Sequence, residues 1–202
     1  VFKYYLTTKI KIKMKELKVE VPKGYEINKG GQNKLGLQKN NGDKYSNEWY
    51  TPKYFFDAFP EFDLDPCAPI TPLWNTAKKM YNINDNGLTK EWRGTVWLNP
   101  PYERKTMKLF MDKMIEHNDG IALLFNRLDS RLFQSHVLGK ASSILFIKGR
   151  IKFYKPDGTQ GDSSNVGSIL VSYGDKCKDW LEKCNISGVI VEPKKVLKIK
   201  QI

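Results

Sequence analysis

A short β-prone run, Thr95-Val96-Trp97-Leu98, stops at Asn99-Pro100-Pro101-Tyr102. Proline has no backbone N–H and a fixed φ, so two in succession cannot continue a strand ladder. The strand must end there and the chain must leave the sheet. Met107, Phe110, Met111, Met114 and Ile115 then recur at helical spacing and predict an amphipathic helix over 104–117. Gly120 opens Ile121-Ala122-Leu123-Leu124-Phe125, a continuous apolar run suited to a buried parallel strand. Strand, helix and strand in that order predict an α/β sandwich.

The flanking sequence extends this pattern. Phe62-Asp63-Leu64-Asp65 alternates with period two and stops at Pro66, a strand meeting a loop. Thr51 followed by Pro52 reads as a helix entry with Thr51 as the cap. A helix is predicted over 129–139, with Gly139 near its end. Strands are predicted at Ser143 to Ile147, Arg150 to Tyr154 and Val166 to Tyr173, and a short helix at Lys176 to Cys184. Val189 to Val191 and Val196 to Ile199 read as edge strands. Pro156-Asp157-Gly158 is turn chemistry within a loop over 155–165. The strand-rich C-terminal part predicts antiparallel pairing, so the sheet is expected to be mixed.

The chain has 202 residues, a length that suits one domain with a core of its own. Its charge is uneven. Residues 1–45 carry eleven lysines against four acids, +7 of a formal net charge of +12. The stretch Lys29 to Gly42 is rich in Gly, Asn and Lys and nearly devoid of apolar side chains, so it cannot bury much surface. Residues 1–44 therefore read as a flexible basic arm and 45–202 as the folded domain. A surplus of this size points to a polyanionic partner, because each neutralised phosphate releases counterions. Residues 1–13, which precede Met14, read as upstream sequence.

Cys67, Cys177 and Cys184 are odd in number and form no C-x-x-C pair. His117 and His136 have no ligand spacing either, so no metal site and no disulfide scaffold is expected. With no apolar run of about 18 residues and no apolar leader, no membrane segment is expected and the reading is cytoplasmic. The G-x-G-x-x-G fingerprint of nicotinamide cofactors is not in the sequence.

Asn99-Pro100-Pro101-Tyr102 carries the most chemistry. An aromatic amino group is a poor nucleophile because its lone pair is delocalised into the ring. Two acceptors set beside its N–H bonds draw the nitrogen toward tetrahedral geometry and free that pair. Asn99 Oδ1 and the Pro100 carbonyl are candidates for the two acceptors. The two prolines stiffen the loop, and Tyr102 offers a flat face for a base taken out of its stack. A carboxylate such as Asp65, at the end of a strand, sits where open α/β sheets bind ligands.

Together these segments resemble the phage-type, Dam-like DNA adenine methyltransferases. The resemblance runs over about residues 47–173. It rests on Glu48-Trp49-Tyr50-Thr51-Pro52, Phe62-Asp63-Leu64-Asp65-Pro66-Cys67-Ala68, Asp85-Asn86-Gly87-Leu88, Trp92, Gly94 to Tyr102, Arg127 to Phe133, and Lys148 to Phe153. It implies a Rossmann-like, S-adenosylmethionine-dependent methyltransferase sandwich with a mixed sheet, antiparallel toward the C-terminus. It implies a site-specific enzyme of the restriction-modification kind that moves a methyl group from S-adenosylmethionine to N6 of a flipped adenine in double-stranded DNA. The setting would be the host cytoplasm, and a monomer is assumed.

By that resemblance Asn99, Pro100, Pro101 and Tyr102 hold the base. Trp49, Thr51 and Pro52 lie by the methionine part of the cofactor, Asp65, Cys67 and Ala68 at the cofactor end of the first strand, and Asp85 by its adenine or ribose. Arg127 and Arg150 match family positions without an assigned role, with phosphate contact or core ion pairing both open. No large recognition domain fits after Asn99, which leaves sequence readout to the loop over 155–165 or to the arm. The alternatives are a non-catalytic basic DNA-binding protein, a methyltransferase acting on a protein glutamine, and an arm that binds RNA. Deleting residues 1–40 is expected to weaken DNA binding and flatten its dependence on salt. An unchanged slope in a salt titration would show that the arm is idle.

Overall fold

The structure, a computed structural model, describes residues 49–193. The basic arm, Glu48 and the strand expected at Val196 to Ile199 lie outside the described residues. The elements run α1 (Lys53–Asp57), β1 (Leu64–Asp65), β2 (Lys79–Met80), β3 (Val96–Leu98), α2 (Arg104–His117) and β4 (Gly120–Phe125). A π-helical segment (Phe133–Val137) follows, then β5 (Ser143–Ile147), β6 (Lys152–Tyr154), β7 (Gln160–Ser163), β8 (Ser168–Tyr173), α3 (Asp175–Lys183) and β9 (Gly188–Val191).

Seven of these strands form one mixed sheet in the order β2-β1-β3-β4-β8-β5-β9. The first four are parallel, with Leu64 level with Val96 and Leu98 level with Ala122. The last four are antiparallel, with β8 running the full length of β4 from Tyr173↔Gly120 to Ser168↔Phe125. The mixed sheet and its antiparallel C-terminal half are as the sequence predicts.

Side chains alternate across a strand, so the sheet builds two cores. On one face Val96, Leu98, Ala122, Leu124 and Ile144 pack with Phe110, Met111 and Met114 of α2 and with Phe133 and Val137. On the other, Trp97, Ile121, Leu123, Leu145 and Leu170 pack with Phe55 of α1 and with Cys177 and Leu181 of α3. β4 is buried on both faces along its whole length, which is why its sequence is an unbroken apolar run. Among the described residues no helix is long and apolar enough to cross a membrane.

α2 spans the predicted residues. The Glu103 carboxylate accepts from the backbone N–H of Lys105 and Thr106 at its start, and Asn118 closes it in a left-handed conformation at φ 53°. Three expectations are corrected. The helix expected over 129–139 narrows to a π-helical turn, with Leu138 N donating to Phe133 O across five residues. There the Ser135 hydroxyl bonds back to Arg131 O and the buried His136 reaches Asp112 on α2, which compete with a regular ladder. The stretch 155–165 is not all loop, because β7 pairs with β6 as a separate hairpin. Thr51 does not cap α1, whose entry residue is Pro52 with no side-chain bond.

One glycine fixes the connection after β2. A Cβ on Gly87 would lie 2.1 Å from the Pro66 carbonyl oxygen. The loop carrying Asp85 is thus pressed against the end of β1 at backbone distance. Trp92 Nε1 donates to Gly87 O at 2.9 Å and Lys113 Nζ to Leu88 O at 2.7 Å, pinning the same loop to α2. Gly87→Ala is expected to destabilise the fold by about 1–3 kcal/mol through overpacking. A denaturant midpoint equal to that of the wild type would show instead that the loop yields freely.

Candidate active site

Parallel strands that end together leave a crevice at their carboxyl ends, where α/β sheets take ligands. Here the register continues from Leu64↔Val96, which puts Pro66 and Cys67 after β1 alongside Leu98, the last residue of β3, and Asn99. It puts Asn126 and Arg127 just beyond the end of β4. Asn99, half-buried, is the first residue past β3. Its Nδ2 donates to Thr51 Oγ1 at 3.3 Å, which fixes the amide, and its Oδ1 is buried without a partner. An amide held by its nitrogen presents its oxygen as a free acceptor. Pro100 follows, buried and unable to donate from its own backbone.

Tyr102 lies against Phe125 at the end of β4, ring centroids 4.2 Å apart and 22° from parallel. Burial raises its hydroxyl well above the ordinary tyrosine range. One face of the ring is therefore covered by the protein itself.

Asp65, the last residue of β1, is buried. It accepts from Cys67 N at 2.9 Å and from Thr76 Oγ1 at 2.6 Å. Burial pushes its carboxyl up to about 6, against the opposing pull of the Thr76 and Cys67 bonds, and no protein cation contributes. The Cys67 thiol is raised by burial and then by the neighbouring carboxylate, so it is not a thiolate nucleophile. Ala68 is fixed by its N–H to Tyr81 O at 2.9 Å. Asp85 closes its own turn, accepting from Asn82 N at 2.9 Å.

The fold thus brings Thr51, Pro52, Asp65, Cys67, Ala68 and Asn99 to Tyr102 to one end of the sheet, with the Asp85 loop against it. Trp49 belongs to a different contact. It lies across Gly161 of β7, where a Cβ would meet its ring at 2.3 Å, and its neighbour Tyr50 pairs with Tyr154 of β6.

Three further polar groups stand at this end that sequence reasoning left unassigned or passed over. Asn126 Oδ1, Arg127 Nε and Ser168 Oγ are buried and unpaired, like Asn99 Oδ1. Elsewhere buried polar groups are satisfied: Ser143 with Ser172 at 2.7 Å, and the Tyr173 hydroxyl with His136 O at 2.8 Å. The signal for Asn126 and Arg127 was a polar pair directly after an all-apolar strand. Ser168 carried none, since a serine opening a strand is commonplace.

The family model for DNA N-6-adenine-methyltransferase (Dam) matches residues 36–193. A DNA N-6-adenine-methyltransferase of Escherichia phage T1 is 28% identical over 156 residues, covering 65% of this chain and 64% of the relative. The chain spans just under two thirds of the length of that relative. No solved structure matches it significantly.

The Asp65 carboxyl gives a stability test with a definite sign. A folded-state value raised to about 6 means that the native protein holds this proton where the unfolded chain has released it. Its ionisation therefore costs stability as pH rises from about 4 through 6, by about 3 kcal/mol in full. Asp65→Asn is expected to gain stability relative to wild type by that order between pH 4 and pH 8. A stability difference that does not change with pH would refute the raised carboxyl.

Proposed function

The chain belongs to the DNA N-6-adenine-methyltransferase (Dam) family, and on that premise we propose that it moves a methyl group from S-adenosylmethionine to N6 of an adenine flipped out of double-stranded DNA. The observation that carries the reading is the buried, unpartnered Oδ1 of Asn99, on an amide fixed by the Nδ2–Thr51 bond and followed by the rigid Pro100. In this reading Asn99 Oδ1 and the Pro100 carbonyl accept the two amino hydrogens. The lone pair on nitrogen would then stand out of the ring plane, free to take a methyl group as the methyl–sulfur bond breaks and one amino proton is lost to water. Pro101 holds the carbonyl outward, and Tyr102, braced by Phe125, gives the base a rigid stacking face. No general base is needed in the bond-forming step, so positioning supplies most of the acceleration.

The residues fit the methyl donor chemically. Among the described residues no cation stands beside the buried Asp65 carboxylate, which suits a ligand carrying positive charge. When bound, the donor supplies a methyl group on a sulfonium, an excellent leaving group. Asp65, Cys67 and Ala68 at the end of β1, Thr51 and Pro52 before α1, and Asp85 on the adjoining loop are the residues proposed to hold it, while Trp49, seated on Gly161 of β7, is not among them. The mixed sheet is then a Rossmann-like methyltransferase sandwich. The basic residues 1–44 add affinity for phosphates, and the protein works as a monomer in the host cytoplasm.

Asn99→Ala is expected to fold and to keep its affinity for S-adenosylmethionine. It should lose methyl transfer to DNA by about a hundredfold or more, as when a key transition-state contact is removed. Transfer of a tritiated methyl group, measured on DNA and on protein in parallel, checks both the residue and the acceptor. Turnover near wild type in the variant would end the mechanism, and label appearing in protein alone would move the substrate to a glutamine.

A further inference from the structure

The unpaired polar atoms at the end of β4 lie beyond the loop that handles the amino group. Resting on the methyl-transfer reading above, we propose that Ser168 and Arg127 are specificity residues, donating hydrogen bonds to ring nitrogens of the target adenine. Once both amino hydrogens go to Asn99 and Pro100, the remaining polar atoms of adenine, N1, N3 and N7, are all acceptors. They need donors, and among the described residues two are buried and unpaired, Ser168 Oγ and Arg127 Nε.

The placement follows from the ladder. Ser168 is level with Phe125, whose ring carries Tyr102 at 4.2 Å, and Arg127 follows two residues after Phe125. A base stacked on the open face of Tyr102 has beneath that ring the strand ends that carry both donors. Each donor stands on fixed backbone. Ser168 opens the six-residue β4–β8 ladder, and Asn126 N donates to Gly167 O at 2.7 Å just before it. The Arg127 carbonyl accepts from Ser130 N at 3.1 Å and Ser130 Oγ at 2.8 Å.

Depth separates a base from a phosphate. Ser168 is only 2% exposed, out of reach of a backbone phosphate on the protein surface, so a base must be drawn inside to meet it. Arg150 is the exposed partner, its guanidinium 3.0 Å from where a Cβ on Gly167 would stand. It marks the outer side of the cluster, and the bare Gly167 leaves it room.

The test uses the full chain and DNA duplexes with adenine, 1-deazaadenine, 3-deazaadenine or 7-deazaadenine at the methylated position. Wild type is expected to lose about tenfold or more in kcat/KM on at least one deaza analogue, as when a site's buried donor is left unpaired. Ser168→Ala and Arg127→Gln should each lose a similar factor on adenine, and at least one of them should lose nothing more on that analogue. Ser168→Ala should be at least as stable as wild type, since it removes an unpaired buried hydroxyl, so lost folding cannot explain its lost discrimination.

Equal rates of wild type on all four bases would overturn the inference. So would an intact preference in both variants with the salt slope of DNA binding lowered by about one in Arg127→Gln, which marks a phosphate contact. Either result leaves adenine methylation standing. Wild type that methylates no adenine at all would instead remove the functional reading beneath it.

Discussion

Strand β4 pairs in parallel with β3 on one side and antiparallel with β8 on the other, and Asn99, Tyr102, Arg127 and Ser168 take their positions from those two ladders. The parallel side brings Asn99 out at the same end of the sheet as Phe125. The antiparallel side brings the start of β8 back to that end, so that Ser168 stands beside Phe125. A purely parallel sheet would have put the beginning of the next strand at the far side. The mixed topology is what gathers a strand end, a proline loop and a strand beginning into one place.

The distribution of buried polar groups follows the same axis. Toward the opposite end of β8, Ser172 and Tyr173 are fully satisfied, by Ser143 and by the His136 carbonyl. At the site end four buried polar atoms have no partner. Leaving such atoms unpaired costs roughly 1–3 kcal/mol each, so the fold carries a stability cost concentrated in one crevice. Asp65 adds to it, a buried carboxylate without a cation. Groups left in this condition are ready to bond to a polar ligand.

Several elements were legible because local chemistry decides them. Paired prolines end β3 whatever the rest of the chain does. The methionine and aromatic spacing of α2 has one reading, and Glu103 and Asn118 mark its ends. β4 could only be a doubly buried strand. The π-helical turn was not legible, because its cause is the contact from His136 to Asp112 on a distant helix. Nor was β7, whose Gln160–Ser163 has no apolar alternation and exists by pairing with β6. Thr51 was misread for a related reason. Its position before a proline suggests a cap, while its partner is an asparagine 48 residues away.

The sequence by itself determined the residue types of the amino-binding loop, the α/β order and the basic surplus, since these follow from backbone restriction, periodicity and charge count. Only the tertiary structure decided that Thr51 holds Asn99, that Phe125 backs Tyr102, that Asp65 lacks a cation, and that Ser168 joins Arg127 at the crevice. Each of these is a relation between segments far apart in the chain. Such relations are set by strand register and burial, and a one-residue slip of the β4–β8 ladder would send Ser168 to the other face of the sheet without altering a single local preference.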